Sequence, residues 1–476
     1  MKNKINKYVS YALLCVCLLG CKNLAIVNRN ENKTMPEAFA NTKDTVSSAT
    51  IKWRVFFKDT ELIALIDSAL KKNQELNIIL QEISIAQNDV RARKGAYLPS
   101  VNAGIGAGVD KVGRYTSQGA SDAVTNIMPG KATPEILPNY VLGVTAMWEA
   151  DIWRKLRNAK QSAVHNYLAS VDGKNFMVTH LISEIANSYY ELIALDNQLE
   201  TLQKNIDIQT NALEIVKLQK VAAKVTELAV RRFEAEVLKN KSRKYYILQQ
   251  ITEAENKLNF LAGRFPQRVN RNSSNFTELA IDSIFSGVPS QLLANRTDIR
   301  QAEQLLVAAK MNVKIAKAEF YPSLRITAAA GYNAFNLAYL IQTPQSLLYN
   351  IAGDMVAPLI NRNAIKANFY TANSKQIQAV YNYERAILKA HIEVVNQLSN
   401  INNLKTSFDL KNQQVNTLTE SIEISTTLFK SARADYMEVL LTQRDALDSK
   451  FELIETKKQQ LNAKVNMYQV LGGGWR

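Results

Sequence analysis

Three histidines, His165, His180 and His391, are scattered along the 476-residue chain with no HExxH-type spacing. No G-x-S-x-G elbow and no glycine-rich phosphate loop occurs. The methionines are not gathered as a soft-metal site requires. The residue types that could hold a metal or attack a substrate therefore never meet at a working spacing. No catalytic residue, metal ligand or cofactor is expected. The three cysteines are different, because all of them fall at the extreme start, at positions 15, 17 and 21.

MKNKINK is a basic leader, and YVSYALLCVCLLG is an apolar run of about 13 residues, too short to span a bilayer as a helix. The run ends in Leu18-Leu19-Gly20-Cys21, which resembles the lipobox of bacterial lipoproteins. That motif implies removal of residues 1–20, a diacylglyceryl thioether on Cys21, and acylation (palmitate or a similar chain) of the new amine. Cleavage also removes Lys2, Lys4 and Lys7, so the net charge falls from +15 to +12. Cys15 and Cys17 leave with the leader, so no disulfide is expected. Acyl chains worth about 0.8 kcal/mol per buried methylene anchor such a chain stably to a membrane. Lys22 follows the cysteine, where an Asp would have suggested retention at the inner membrane.

The basic residues are interleaved with acids along helical faces rather than clustered, which reads as a solvated surface and not a nucleic-acid footprint. Residues 21–58 read as a polar N-terminal tether. From Asp59, apolar residues recur at steps of three and four (Leu62, Leu65, Ile66, Ala69, Leu70, Leu76, Ile79, Leu80, Ile83), predicting one helix up to Pro99. VNAGIGAGVD then alternates strictly, and after a polar loop at about 111–138 YVLGVTAMW alternates again. The spacing predicts a β-hairpin over 99–150. A helix of about 65 residues, roughly 100 Å, follows from about Asp151. A break at LQKVAAKVTE leads to another helix ending LNFLAG.

The same order then recurs. AQNDVRARKGAYLPS (86–100) aligns without a gap with AKMNVKIAKAEFYPS (309–323), and VTELAVRRFEAEVLKNKS with ADYMEVLLTQRDALDSK at an offset of 209, so that Gly263 meets Gly472. The chain is a tandem duplication: a first repeat over 59–263, an equatorial linker over 264–289, and a second repeat over 290–476 with its hairpin at 322–360. Pro99 and Pro322 mark the helix-to-strand turns.

The strands are about ten residues long, with one apolar face and one face of Gly and polar residues, the pattern of strands tilted across a bilayer. Tyr140, Trp148, Tyr332 and Tyr349 suit the interfaces. Asn102, Asp110, Arg325, Asn350 and Asp354 fall on the polar face and become candidates for a barrel lumen. Four strands cannot close, and an open edge in lipid strands backbone groups. Several copies must share one barrel, and three copies give twelve strands, enough to enclose a lumen.

At this point the residues resemble the TolC-like outer-membrane channel proteins, in the lipoprotein branch called NodT or OprM type. FFKDTELIALIDSALKKNQELNI is similar to that family's opening helix, and YLPS and FYPS to its turns. WEADIWRKLR resembles its W-E-x-D-x-W-G-x-x-R stretch, GVPSQLLANRTDIRQAE its lPs-x-LL-x-R-R-P-D-I-x-x-A-E motif, and VLGGGW its terminus. The resemblance implies a mostly α protein with a membrane β-barrel portion: a duplicated long-helix coiled-coil protomer giving four strands to a trimeric 12-stranded barrel, continued by a periplasmic α-helical barrel. It implies a homotrimer in the outer membrane, lipid-anchored through Cys21. The partners would be a periplasmic membrane-fusion adaptor and an inner-membrane pump, RND type foremost. The implied work is passive export of drugs, toxic compounds or metal ions. The outlet of a type I protein secretion system shares this architecture and stands as the alternative.

Departures are confined to a few positions. Thr297 replaces the Pro of R-P-D-I and is expected to cap the helix starting there. Arg154 stands where the family often has Gly, and the turns AAK (222–224) and SARA (431–434) lack their usual Gly. Those turns would form the periplasmic tip. Lys224, Arg433, Asp435 and Glu438 are the candidate gate and adaptor-contact residues, Glu438 and Arg433 because they match an acidic gate residue and a tip Arg of some members. Leu441 stands where those members carry a second acid.

Overall fold

The computed structural model describes residues 29–39, 45–282, 284–431 and 433–475, so Cys21 and the leader lie outside the described residues. The chain divides into two compact units. One comprises 97–159 and 309–381 with 29–32, and the other 33–96, 160–308 and 382–475, both within the described residues.

The first unit holds a four-stranded antiparallel sheet in the order β1-β4-β5-β6, with β1 at Ser100–Lys111, β4 at Ile136–Ala150, β5 at Ser323–Ala334 and β6 at Leu347–Val356. The loop between β1 and β4 is more than a polar connection. It carries helix α4 (Ser117–Asp122) and a small hairpin of β2 (Asn126–Met128) and β3 (Lys131–Ala132).

The helices are α1 (Trp53–Phe56), α2 (Thr60–Lys72), α3 (Gln74–Ala96), α5 (Lys155–Val221), α6 (Glu227–Leu261), α7 (Gln291–Asn295), α8 (Thr297–Ala318), α9 (Asn363–Lys430) and α10 (Tyr436–Val470). α5 and α9 have 67 and 68 residues, and α6 and α10 have 35 each. Asp59 starts α2 by accepting from the N–H groups of Glu61 and Leu62 at 2.8 and 3.1 Å, and Lys71 and Lys72 sit in its last turn, where the helix dipole favours cations.

The core of the second unit joins Leu62, Leu65, Ile66 and Ala69 of α2 to Leu181, Ile185, Tyr189 and Leu192 of α5 and to Ile454, Leu461 and Tyr468 of α10. Burying each Leu or Ile there contributes about 1.5–3 kcal/mol. Residues of the expected tether take part. Phe39 is fully buried and stacks on His391 at 5.3 Å, and Trp53 and Phe57 belong to the core.

Two helices expected to be continuous are broken. Asn73 separates α2 from α3: it takes extended backbone, its Oδ1 accepts from Leu76 N at 2.9 Å, and its Nδ2 donates to the Leu261 carbonyl at 3.0 Å. Arg296 separates α7 from α8 at the equivalent place of the second repeat and donates to the Val470 carbonyl at 3.2 Å. A glycine of each repeat packs closely against the break. A Cβ on Gly263 would lie 2.2 Å from the Lys72 carbonyl oxygen, and one on Gly472 would lie 2.6 Å from that of Asn295. Both glycines have positive φ and end their helices with the same pair of backbone bonds, Arg264 N to Asn259 O and Gly263 N to Phe260 O in one, Gly473 N to Tyr468 O and Gly472 N to Gln469 O in the other. Thr297 is the first residue of α8, one step inside the cap position expected for it, at a place that also suits Pro.

Candidate functional site

The sheet's register decides what its faces are. Val101, Ile105 and Val109 of β1 lie opposite Ala146, Leu142 and Pro138 of β4. Leu142, Val144 and Trp148 lie opposite Tyr332, Ala330 and Ile326 of β5, and Tyr332, Ala328 and Leu324 lie opposite Leu347, Ile351 and Met355 of β6. Cross-strand partners share a face, so the apolar residues of all four strands form one continuous apolar surface. Nothing among the described residues covers its outer strands: Ile105 is 80% exposed and Ile351 78%. An apolar area of this extent left in water invites aggregation, and contact with lipid removes that liability.

The opposite face gathers Asn102, Asp110, Arg325, Asn350 and Asp354. Asn102 pairs with Thr145, Asn350 with Ala329, and Arg325 with Asp354. The register adds one residue that sequence reasoning missed. Glu149 lies opposite Arg325 on the other side, so Arg325 stands between two carboxylates. Alternation counted forward from Thr145 and Met147 would have placed it there. Glu149 also lies 3.5 Å from Lys155 Nζ.

The two helix-to-strand turns are pinned by the two tryptophans of WEADIW. Trp148 Nε1 donates to the Tyr97 carbonyl at 3.1 Å, two residues before Pro99. Trp153 Nε1 donates to the Pro322 carbonyl at 2.8 Å and its ring stacks on Tyr321 at 4.6 Å. Between them Asp151 caps α5, accepting from Leu156 N and Arg157 N at 2.9 Å each and pairing with the Arg157 guanidinium at 3.0 Å. Burial alone would raise the Asp151 pKa. The two N–H groups and the guanidinium outweigh it and hold the carboxyl below its ordinary value.

The tip residues occupy two matching turns. Ala223 has a φ of 55°, the left-handed conformation a glycine would normally supply. Lys224 N bonds to Gln219 O and Ala223 N to Lys220 O, both at 2.9 Å; the second turn repeats the first of these with Arg433 N to Leu428 O at 2.9 Å. The turns are packed together by Leu440 against Leu213, Val216, Ala229 and Phe233, by Phe233 and Tyr436 with ring centroids 6.4 Å apart, and by Arg232 Nη1 donating to Met437 Sδ at 3.4 Å. Lys224, Arg433, Asp435 and Glu438 are all exposed. Asp435 is the N-cap of α10, and Glu438 sits in its first turn, where the helix dipole favours an acid.

A hairpin with one apolar face, followed along the chain by two long helices and occurring twice, has a counterpart among known families. The sequence model of the outer membrane efflux proteins matches residues 65–264 and 288–473. The chain belongs to that family. Among the relatives it is similar to, the pyoverdine export outer membrane protein OpmQ of Pseudomonas aeruginosa is 26% identical over 425 residues, 89% of this chain and 88% of that protein. The cation efflux system protein CusC of Escherichia coli O6:H1 is 24% identical over 468 residues, 97% of this chain and 98% of that protein. Among solved structures, the open state of the MtrE outer membrane channel of Neisseria gonorrhoeae superposes with a TM-score of 0.82 at 22% identity, covering 96% of this chain and 99% of that one.

This member of the outer membrane efflux protein family is an outer-membrane efflux channel. Among the described residues no helix is long and apolar enough to cross a membrane. Arg154, at the position between WEADIW and K-L-R, holds a φ of 59°, the left-handed conformation that favours glycine.

Proposed function

We propose that three copies of this chain close one twelve-stranded barrel in the outer membrane, polar face inward, as a passive conduit for small molecules. One observation carries the reading: the four-stranded sheet has a continuous apolar face and two unpaired edges, β1 and β6. An edge in lipid must be paired. Two copies would give an eight-stranded barrel whose interior side chains fill it, whereas three leave a lumen. The alternation of up and down strands makes β6 antiparallel to the β1 of a neighbour, so the ring closes without a parallel seam.

In this reading Asn102, Asp110, Glu149, Arg325, Asn350 and Asp354 line the lumen. Acyl chains on Cys21 hold each copy to the membrane. The helical unit stands in the periplasm, where Lys224, Arg433, Asp435 and Glu438 form the entrance. A membrane-fusion adaptor would engage those turns and link them to an RND-type inner-membrane pump, which supplies the energy. The channel performs no chemistry. Differential contacts of the adaptor with the closed and open tip would shift the population toward open.

The test has two parts. The detergent-extracted chain should have the mass of three protomers by light scattering and conduct ions in a planar bilayer; a non-conducting monomer would sink the proposal. A photo-crosslinking residue at Arg433 in cells should capture an adaptor of a proton-driven pump. Capture of an adaptor of an ATP-driven secretion system would move the cargo to protein on the same fold.

A further inference from the structure

The internal duplication specifies more than the existence of a seam between copies. The first hairpin ladder starts with Ser100 opposite Met147 and the second with Ser323 opposite Val356. Strand β5 is therefore β1 advanced by 223 positions, and β6 is β4 advanced by 209. The same two offsets govern the helical unit, where Asn73 donates to Leu261 O and Arg296 to Val470 O, and where α5 and α9 end at Val221 and Lys430. The strands and the helix ends of both repeats thus obey one rule, while the hairpin loops differ.

Within the chain the repeats meet where β4 joins β5, with Val141 opposite Asn333 and Thr145 opposite Ala329. Around a closed ring the second repeat must meet the first repeat of the next copy, β6 against β1. From these offsets we infer that this seam repeats the β4–β5 joint in one register, with Asn350 opposite Asp110 of the next copy and Asp354 opposite its Gly106. The inference rests on the multi-copy reading above and goes beyond it by fixing which residues touch.

Three features of the strands suit this register. The apolar faces match, with Ile351 against Val109 and Met355 against Ile105; a slip of one residue would turn every β6 side chain to the wrong face. On the polar face Ala352, Asp354 and Val356 lie opposite Gly108, Gly106 and Gly104. A Cβ built on any of those three glycines meets nothing within 4 Å in the single chain, whereas Gly143 and Gly331, in the joint already formed, meet each other's strands within 3 Å. Finally, the Asn350 amide can donate to the Asp110 carboxylate. A slip of two residues in either direction places Leu348 or Ala352 opposite that carboxylate and leaves it without a donor across the seam.

The chain is well suited to a disulfide test, because its native cysteines are confined to positions 15, 17 and 21. Paired positions across an antiparallel joint have Cα atoms about 4.5–5.5 Å apart, within disulfide reach. Asp354→Cys with Gly106→Cys, oxidised in outer-membrane vesicles, should link neighbouring copies at least about fivefold faster than Asp354→Cys with Gly104→Cys or with Gly108→Cys. Asn350→Cys with Asp110→Cys provides an independent pair should one variant not fold. Fastest linking at Gly104 or Gly108 would overturn the register. So would failure of both inferred pairs in variants that still run as oligomers. If the unsubstituted chain itself runs as one copy in mild detergent, the multi-copy reading fails and the seam falls with it.

Discussion

Asn73 Nδ2 donates to the carbonyl of Leu261 at 3.0 Å, across 188 residues of chain, and Asn73 is 97% buried while doing so. The same side chain accepts from Leu76 N, so it closes the end of α6 and starts α3 at once. Replacing it with Ala leaves a buried carbonyl and a buried N–H without partners. Asn73→Ala should lower stability by about 1–3 kcal/mol, read as a fall in the thermal midpoint of the helical circular dichroism signal. Asn73→Asp keeps the acceptor and loses the donor, and should fall between the two.

Arg154 and Ala223 hold left-handed backbone that L-residues adopt at a cost of about 1–2 kcal/mol each. Arg154→Gly and Ala223→Gly should each raise the unfolding midpoint, by a stabilisation of about 0.5–1 kcal/mol once the greater freedom of glycine in the unfolded chain is counted. Ala223→Val should do the reverse. A fall with Ala223→Gly would mean that the turn changes its conformation when the glycine is introduced.

Trp153→Phe preserves an aromatic ring to stack on Tyr321 but deletes the bond to the Pro322 carbonyl. A loss of about 1 kcal/mol is expected, and Trp148→Phe should cost a similar amount through Tyr97. The double variant should lose roughly the sum, because each indole serves a different turn. Denaturant midpoints of the purified protein give all three values.

Asp151 is held below the ordinary carboxylate pKa, so the stability it contributes is fully present above about pH 4 and lost as pH falls further. Asp151→Asn should be less stable than the unsubstituted chain at pH 7. The difference should shrink as pH falls below about 4. A difference that stays constant across that range would mean the carboxylate charge plays no part in capping α5.

Glu438 is exposed at the first turn of α10, beside the packed pair of tip turns. Glu438→Ala should raise the leak conductance of the reconstituted channel, with the single-channel record showing more open time rather than a larger open level. Unchanged conductance would leave Glu438 as a helix-dipole partner and remove it from the gate.

Much of this molecule was legible residue by residue. A strand's side chains alternate with a period of two, so VNAGIGAGVD declares one apolar and one Gly/polar face before any partner is known. Pro99 and Pro322 stop a helix by their own ring geometry. The long helices follow from uninterrupted periodicity, and the duplication from alignment of the chain with itself. What the local pattern could not contain was anything that depends on a distant backbone. The apolar periodicity of 59–96 runs straight through Asn73, and that of 290–320 through Arg296. At each break the chain meets a distant backbone: Gly263 lies against Lys72 and Gly472 against Asn295, and Asn73 and Arg296 bond the carbonyls of Leu261 and Val470. Glu149 became a neighbour of Arg325 only when β4 and β5 took their register. Faces and stops are set by the geometry of single residues and their nearest neighbours, which a sequence carries in full. Breaks and pairings are set by which backbones come within van der Waals and hydrogen-bond distance, and only the folded chain decides that.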